Sequence, residues 1–294
     1  MPEIGYRNCM RSESYVEIGG MTVRMTGDAG LEMSAGSSAF RPFLTKPCGH
    51  IAEIALDTDL PTTPFRILHE FDFQTNTKCH FGKEGAICHF TMQSADGNTI
   101  RLRYDGSEKI EISRCKEQQL LNFALWMAFN LIGCSRKTMS IHSSCIVYKE
   151  GAILFLGESG TGKSTQSRLW HECHPETMLL NDDGPFLALR NDRYEVFGSP
   201  WSGKTPCYRN LHYPIHAIVR VVQAKSNRIT TPSNLKKIGI ILPSLPPALS
   251  KEHEMQSYML AMVSRLIEEI PVLQLECLPD AGAVETLHDN LFRS

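Results

Sequence analysis

The chain has 294 residues, room for one large domain or two ordinary ones, each able to bury a core. Hydrophobic residues make up 42% and charged residues 21%, a globular mixture rather than a disordered or fibrous one. The formal net charge of -2 gives no basis for binding nucleic acid or an acidic membrane surface, and no apolar run approaches the roughly 20 residues of a membrane span. The opening Met1-Pro2-Glu3-Ile4-Gly5-Tyr6-Arg7 has no apolar signal core, and the ten cysteines include no C-x-x-C pair. The chain therefore reads as a cytoplasmic protein whose thiols are reduced and packed as small hydrophobes.

Residues 1–115 read as a β-rich lobe. Tyr15-Val16-Glu17-Ile18 and Met21-Thr22-Val23-Arg24-Met25 alternate around Gly19-Gly20, a hairpin signal. Strands are predicted over 51–56, 86–93, 99–104 and 109–113, with an Asp96-Gly97 turn between the second and third of these. His69, His80 and His89 are isolated and read as surface or satisfied core residues. Over 117–131 the apolar residues fall on nearly every side of a helix, the mark of a buried connector, and the domain boundary is placed near Cys115.

Residues 116–294 read as α/β, so the chain as a whole is α+β. A strand is predicted over 141–148, then a turn at Lys149-Glu150-Gly151 and an apolar strand over 151–156. Further strands are predicted over 178–181, 186–189, 194–197, 215–223 and 272–277, a loop at Pro243-Ser244-Leu245-Pro246-Pro247, and helices over 255–270 and 283–291. This arrangement is a mixed sheet flanked by helices. His171-Glu172-Cys173-His174 has the residue types of a metal site but no second half at zinc-like spacing.

Between the strand over 151–156 and the next helix lies Gly157-Glu158-Ser159-Gly160-Thr161-Gly162-Lys163-Ser164-Thr165. It matches G-x-x-x-x-G-K-[ST] in the strand–loop–helix order the motif needs. Glycines such as Gly157, Gly160 and Gly162 let several main-chain N–H groups aim at one anion, and the helix start adds partial positive charge. Lys163 can reach the terminal phosphates, and the Ser164 hydroxyl can ligate Mg²⁺. ATP and Mg²⁺ are thus the expected ligands, with Ser159, Thr161 and Thr165 completing the cradle.

Asp182-Asp183-Gly184 ends a short apolar strand. It reads either as a surface turn or as a carboxylate pair, one member for Mg²⁺ opposite Ser164 and one to take a proton from an attacking hydroxyl. His142 lies on the predicted strand that precedes the P-loop strand, where its ring would end near the phosphates if the two strands are neighbours. Gly198-Ser199-Pro200-Trp201-Ser202-Gly203-Lys204 is a punctuated loop, with Lys204 and Arg209 as further candidate cations or as plain solvated charges.

Ile141-His142, the glycine loop and Asp182-Asp183 together resemble the HPr kinase/phosphorylase C-terminal family, whose P-loop domain is related to phosphoenolpyruvate carboxykinase. His142-Ser143-Ser144, Asn181-Asp182-Asp183 and Pro200-Trp201-Ser202-Gly203-Lys204 are similar, in order, to HPr-kinase-like serine kinases of bacterial peptide and metabolite gene clusters. The resemblance covers about residues 139–290. It implies a P-loop domain of that type behind the β-rich lobe, and an ATP- and Mg²⁺-dependent phosphotransferase acting on a hydroxyl of a protein, peptide or small molecule. In that family one aspartate of the pair is the general base, helped by the histidine. Here that gives Asp182 or Asp183 with His142, while Lys163, Ser164 and Thr165 hold ATP and Mg²⁺. Hexamers occur in the family, so a homo-oligomer is implied, although no interface pattern stands out. The downstream Glu-Arg/Ile-Arg-Gly-Leu-Gly type segment of the true HPr kinases is missing here, so HPr does not carry over as the acceptor. Two alternatives remain: a nucleotide-binding regulatory module without turnover, and a carboxykinase-like activity.

Overall fold

The computed structural model describes residues 13–28, 37–73 and 76–293. The opening segment 1–7, expected to carry no export signal, lies outside them, as does Cys9. The first half forms one mixed 8-stranded sheet. β1 (Glu13–Ile18) and β2 (Met21–Thr26) make the expected hairpin. Gly19 and Gly20 turn it at φ 59° and 70°, a left-handed region that glycine enters without a Cβ clash. β3 (Ile51–Thr58) runs parallel to β2 and to β8 (Lys109–Ser113). The rest is an antiparallel meander of β4 (Arg66–Phe73), β5 (Thr77–Glu84), β6 (Ile87–Gln93) and β7 (Thr99–Tyr104), which returns to β8. β4 and β5 go beyond the expected strands. β4 is the sheet edge and no residue of it is fully buried, so its composition carries little strand signal.

α1 (Gln118–Ser135) is the predicted connector, longer at its C-terminal end than the expected 117–131. Residues on nearly all its sides are buried because it lies between the two sheets, against β7 and β9 (Thr138–Ser140). Asn130, fully buried on this helix, accepts from both the N–H and the hydroxyl of Ser140 at 2.9 Å, while its own amide donates to Trp126 O at 2.8 Å. These bonds satisfy a polar group that would otherwise be costly to bury, and they tie α1 to β9.

The second sheet has nine strands. After β9 come β10 (Ser144–Tyr148), β11 (Gly151–Leu156), β12 (Met178–Asn181), β13 (Phe186–Arg190), β14 (Arg193–Phe197), β15 (His212–Gln223), β16 (Arg228–Thr230) and β17 (Val272–Cys277). β11, β15 and β17 are parallel neighbours, and the other pairings are antiparallel. β11 is buried on both faces, which is why it reads as an unbroken apolar run. Ile153 and Phe155 face a core roofed by α2 (Lys163–Cys173) and α5 (Ala281–Phe292). Ala152, Leu154 and Leu156 face a core shared with α1, α3 (Asn234–Ile241) and α4 (His253–Glu269). This second core continues into the first sheet through Phe129 to Phe90 and Val16. The chain is therefore α+β, a β-rich sheet followed by a mixed sheet flanked by helices. The boundary expected near Cys115 falls in the link between β8 and α1.

The strand predicted over 141–148 is corrected to 144–148, β10 alone, with the separate strand β9 ahead of it over 138–140. β9 pairs with β13, whereas β10 pairs with β11 and β12, so the chain must step between them at 141–143. Main-chain bonds from Ile141 N to Pro185 O, His142 N to Ser244 O and Ser143 N to Asp183 O hold that step. α3, β16 and the 3-10 turn Leu242–Ser244 also lie outside the expected elements. No helix among the described residues is long and apolar enough to cross a membrane.

All the described cysteines are free thiols. Burial pushes Cys79, Cys88 and Cys134 up to about 12, 11 and 12, whereas Cys48 and Cys173 are exposed. Brief alkylation followed by peptide mapping should label Cys48 and Cys173. Cys79, Cys88 and Cys134 should stay unlabelled until the protein is unfolded, since the thiolate is the reactive form.

Candidate functional site

The glycine loop leaves β11 at its C-terminal end and enters α2 at Lys163. Gly157, Gly160 and Gly162 have φ of 150°, 83° and 110°, so the loop's main chain turns in regions that other residues rarely enter. At Gly157 a Cβ would also meet Thr161 Oγ1 at 2.5 Å. Gly160 has open space where a Cβ would stand, with nothing within 4 Å. No side chain caps the N-terminus of α2 and its first turn has no acidic residue, so the free amides and the helix field are unopposed. An anionic phosphate tail fits this cradle on geometry and on charge.

Lys163 is 9% exposed. Its Nζ donates to Gly157 O at 2.8 Å and to Glu158 O at 3.3 Å, and it stands 2.9 Å from His142 Nε2. Burial lowers its pKa below the usual lysine range, against the pull of Asp183 and Asp182. His142 Nδ1 lies 3.1 Å from Asp183 Oδ1. An ammonium has only donors, so Nε2 accepts from Lys163, and Nδ1–H then donates to Asp183. One line of hydrogen bonds thus runs from the loop lysine through the imidazole to a carboxylate. His142 takes part from the step between β9 and β10, not from a strand, and that step brings its ring to Lys163 and Asp183.

Asp182 and Asp183 follow β12 and have different surroundings. Asp182 is 6% exposed and accepts from Ser144 Oγ at 2.7 Å. Ser144 has one hydroxyl proton, already given to Asp182, so the 2.6 Å contact with Ser167 must be donated by Ser167. Ser167 lies on α2, three positions beyond Ser164 and on the same helix face. Ser164 is exposed one turn nearer the loop. The hydroxyl and carboxylate oxygens on this side suit a hard divalent cation. The Asp183 carboxylate, by contrast, is about half exposed and opens toward a cavity.

Ser159 is exposed in the loop, Thr165 is half-buried in the first turn of α2, and Thr161 Oγ1 is spent on Glu158 O at 2.8 Å. Lys204 is exposed and has no partner among the described residues. Its neighbour Gly203 lies against the aspartate turn, where a Cβ would come 2.9 Å from Asp182 O. Arg209 donates Nε to Leu179 O at 2.9 Å. In the histidine-rich stretch, His171 Nδ1 lies 3.0 Å from Thr177 O, and His174 stacks on His288 at 4.8 Å.

No family model and no curated protein matches the chain. Among solved structures, the Hpr(Ser) kinase/phosphatase from Coxiella burnetii aligns over 51% of this chain and 88% of its own, at 13% identity and a TM-score of 0.29.

Two structural roles go beyond the sequence reading. Ser144 stands in a resembling motif with no role attached and Ser167 in none, until the fold buries Ser144 against Asp182 and Ser167 against Ser144. Asn181, fully buried, shapes the aspartate turn: its Oδ1 accepts from Asp183 N at 3.0 Å and Gly184 N at 2.9 Å. Its Nδ2 reaches Ser199 O and Ser199 Oγ at 3.2 Å, and Trp201 O at 3.0 Å. The signal available in sequence is an Asn directly before the Asp pair, where such a residue commonly closes a local turn. Asn181→Ala should destabilise the fold by about 2–4 kcal/mol, since it strands several buried donors and acceptors. Thermal melting reads this as a drop of roughly 5–10 °C for a chain of this size.

Proposed function

We propose that the protein is an ATP- and Mg²⁺-dependent kinase that transfers the γ-phosphate to the hydroxyl of a protein, a peptide or a small molecule. The observation that carries this reading is the convergence of Asp183, His142 and Lys163 in one hydrogen-bonded line at the mouth of a glycine loop. The loop amides over 157–165 and Lys163 would bind the phosphates, and Ser164 and Asp182 would hold the cation. Mg²⁺, when bound, neutralises phosphate charge and orients the terminal group.

The protein's own part is positioning and proton transfer. Asp183 is the better proton acceptor of the pair. Its carboxylate is half exposed and faces the cavity, whereas Asp182 is buried and already holds a hydroxyl. The His142 Nδ1–H fixes one Asp183 oxygen and leaves the other for the acceptor hydroxyl. As the acceptor oxygen bonds to the γ-phosphorus, the bridging P–O bond to the β-phosphate breaks, ADP leaves, and the hydroxyl proton passes to Asp183. Lys163 and the loop amides meet the charge that develops. A carboxykinase-like reaction fits less well, because no lysine or arginine among the described residues lines the cavity beside Asp183 to meet a carboxylate substrate. A binding module without turnover predicts ATP affinity with no transfer. Labelled ATP with a panel of hydroxyl acceptors separates these readings: transfer lost in Lys163→Ala supports the kinase, and absence of ATP binding by the wild type overturns it.

A further inference from the structure

A cavity of about 440 Å³ opens directly beside His142 and Asp183. A larger one of about 550 Å³ lies on the first sheet and contains none of the site residues. The wall of the smaller cavity comes from both halves of the chain. Phe71 and Phe73 project from β4, Phe123 and Trp126 from α1, and Trp201 from the loop that follows β14. The rings from β4 and α1 form a continuous surface: Phe73 stands 4.4 Å from Phe123, and Phe123 stands 5.1 Å from Trp126. Pro243, Pro246 and Pro247 close the far side. Apart from His142 and Asp183, the charged group among the described lining residues is Asp72, which pairs with Lys78 at 2.7 Å.

We infer that this cavity is the acceptor site, and that the acceptor is a small, uncharged molecule carrying a hydroxyl beside an aromatic or similarly bulky apolar group. The inference rests on the kinase reading and names its substrate class. The volume lies within the range of small-ligand pockets, which are mainly apolar with a few polar groups that orient the ligand. Here the polar end is Asp183 with His142, the groups an attacking hydroxyl needs. An anionic acceptor would bury its charge against rings and a carboxylate, with no lysine or arginine among the described lining residues to meet it. The inference also gives the N-terminal sheet a task, since its edge strand β4 supplies one wall of the site.

Trp126 and Trp201 line the cavity and Trp170 does not, so tryptophan fluorescence reads its occupancy apart from turnover. N-benzoyl-L-serinamide is the neutral aromatic probe and glycerate the anionic control. The probe should change the fluorescence saturably in the wild type without nucleotide. Its Kd should rise about tenfold in Phe73→Ala and Phe123→Ala, the scale of losing one good aromatic contact. In Phe73→Asp binding should be lost. The three phenylalanine variants should keep wild-type ATP affinity by calorimetry, with thermal melting to certify the fold. Phosphorylation of the probe should exceed that of glycerate by at least about 100-fold in kcat/KM, the discrimination a buried unpaired charge produces. The acceptor inference is overturned if glycerate is used equally well, if folded Phe73 and Phe123 variants bind the probe as the wild type does, or if a peptide is phosphorylated while the probe neither binds nor reacts. Saturable probe binding with no ATP binding by the wild type would instead sink the kinase reading and leave the cavity's preference standing.

Discussion

Lys163→Ala should transfer phosphate at least about 10³-fold more slowly than the wild type and bind ATP at least about tenfold more weakly. Its ammonium is, among the described residues, the one side-chain cation held against the loop carbonyls of Gly157 and Glu158 and against His142. Alanine removes both the charge and the donor that fixes the imidazole. The direct measurements are transfer from labelled ATP and a calorimetric Kd. The melting temperature should hold within about 4 °C, because the charge removed is one whose burial is itself unfavourable. A pH series adds an independent check. Burial lowers the Lys163 pKa, with Asp183 and Asp182 only partly opposing that shift. The ammonium is therefore present below that lowered value and is lost as pH rises through it, earlier than for an ordinary lysine. ATP affinity in the wild type should fall along this alkaline limb. The limb should move upward once nucleotide is bound, since phosphate favours the charged form. In Lys163→Ala it should be missing.

How far the sequence shows this site depends on the range of each interaction. The glycine loop is legible because strand, loop and helix are contiguous and each glycine answers a local backbone demand. β11 is legible for a similar reason, since burial on both faces leaves an apolar run that needs no partner to be seen. The line from Lys163 to Asp183 is different. It depends on β10 lying between β11 and β12, which is a pairing order and not a pattern within any segment. Periodicity over 141–148 reads as one strand, because alternation does not record a switch of partner strand at Ile141–Ser143. The motif resemblance supplied His142, and the chain's step between β9 and β10 explains how its ring reaches the loop. Asn181 and Ser144 stand in the resembling motifs and Ser167 in none, and the role of each shows only when burial leaves its hydrogen bonds nowhere else to go. Phe71 and Phe73 are hidden for the opposite reason. They sit on an edge strand whose charged neighbours Glu70 and Asp72 mask its alternation, and their contact with α1 spans a long stretch of sequence.

Asp183→Asn and Asp182→Asn should separate the two carboxylates by kind of defect. Asp183→Asn keeps the size and planarity of the side chain, and the main-chain N–H that Asn181 holds is untouched. The amide cannot take a proton. The kcat should therefore fall about 10²- to 10⁴-fold, the usual scale for a lost general base, with ATP affinity within about threefold of wild type. Asp182→Asn acts elsewhere. The change weakens a buried acceptor for Ser144 and removes an anionic oxygen from the side where Ser144, Ser167 and Ser164 gather. It should raise the Mg²⁺ concentration needed for half-maximal rate by about tenfold or more, and lower the melting temperature, since a neutral amide is a poorer partner for that hydroxyl. Rate against Mg²⁺ concentration for both variants, at saturating ATP, decides the assignment. A Mg²⁺ defect in Asp183→Asn with an intact limiting rate would exchange the two roles. A wild-type limiting rate in both variants would remove proton transfer by this pair from the mechanism.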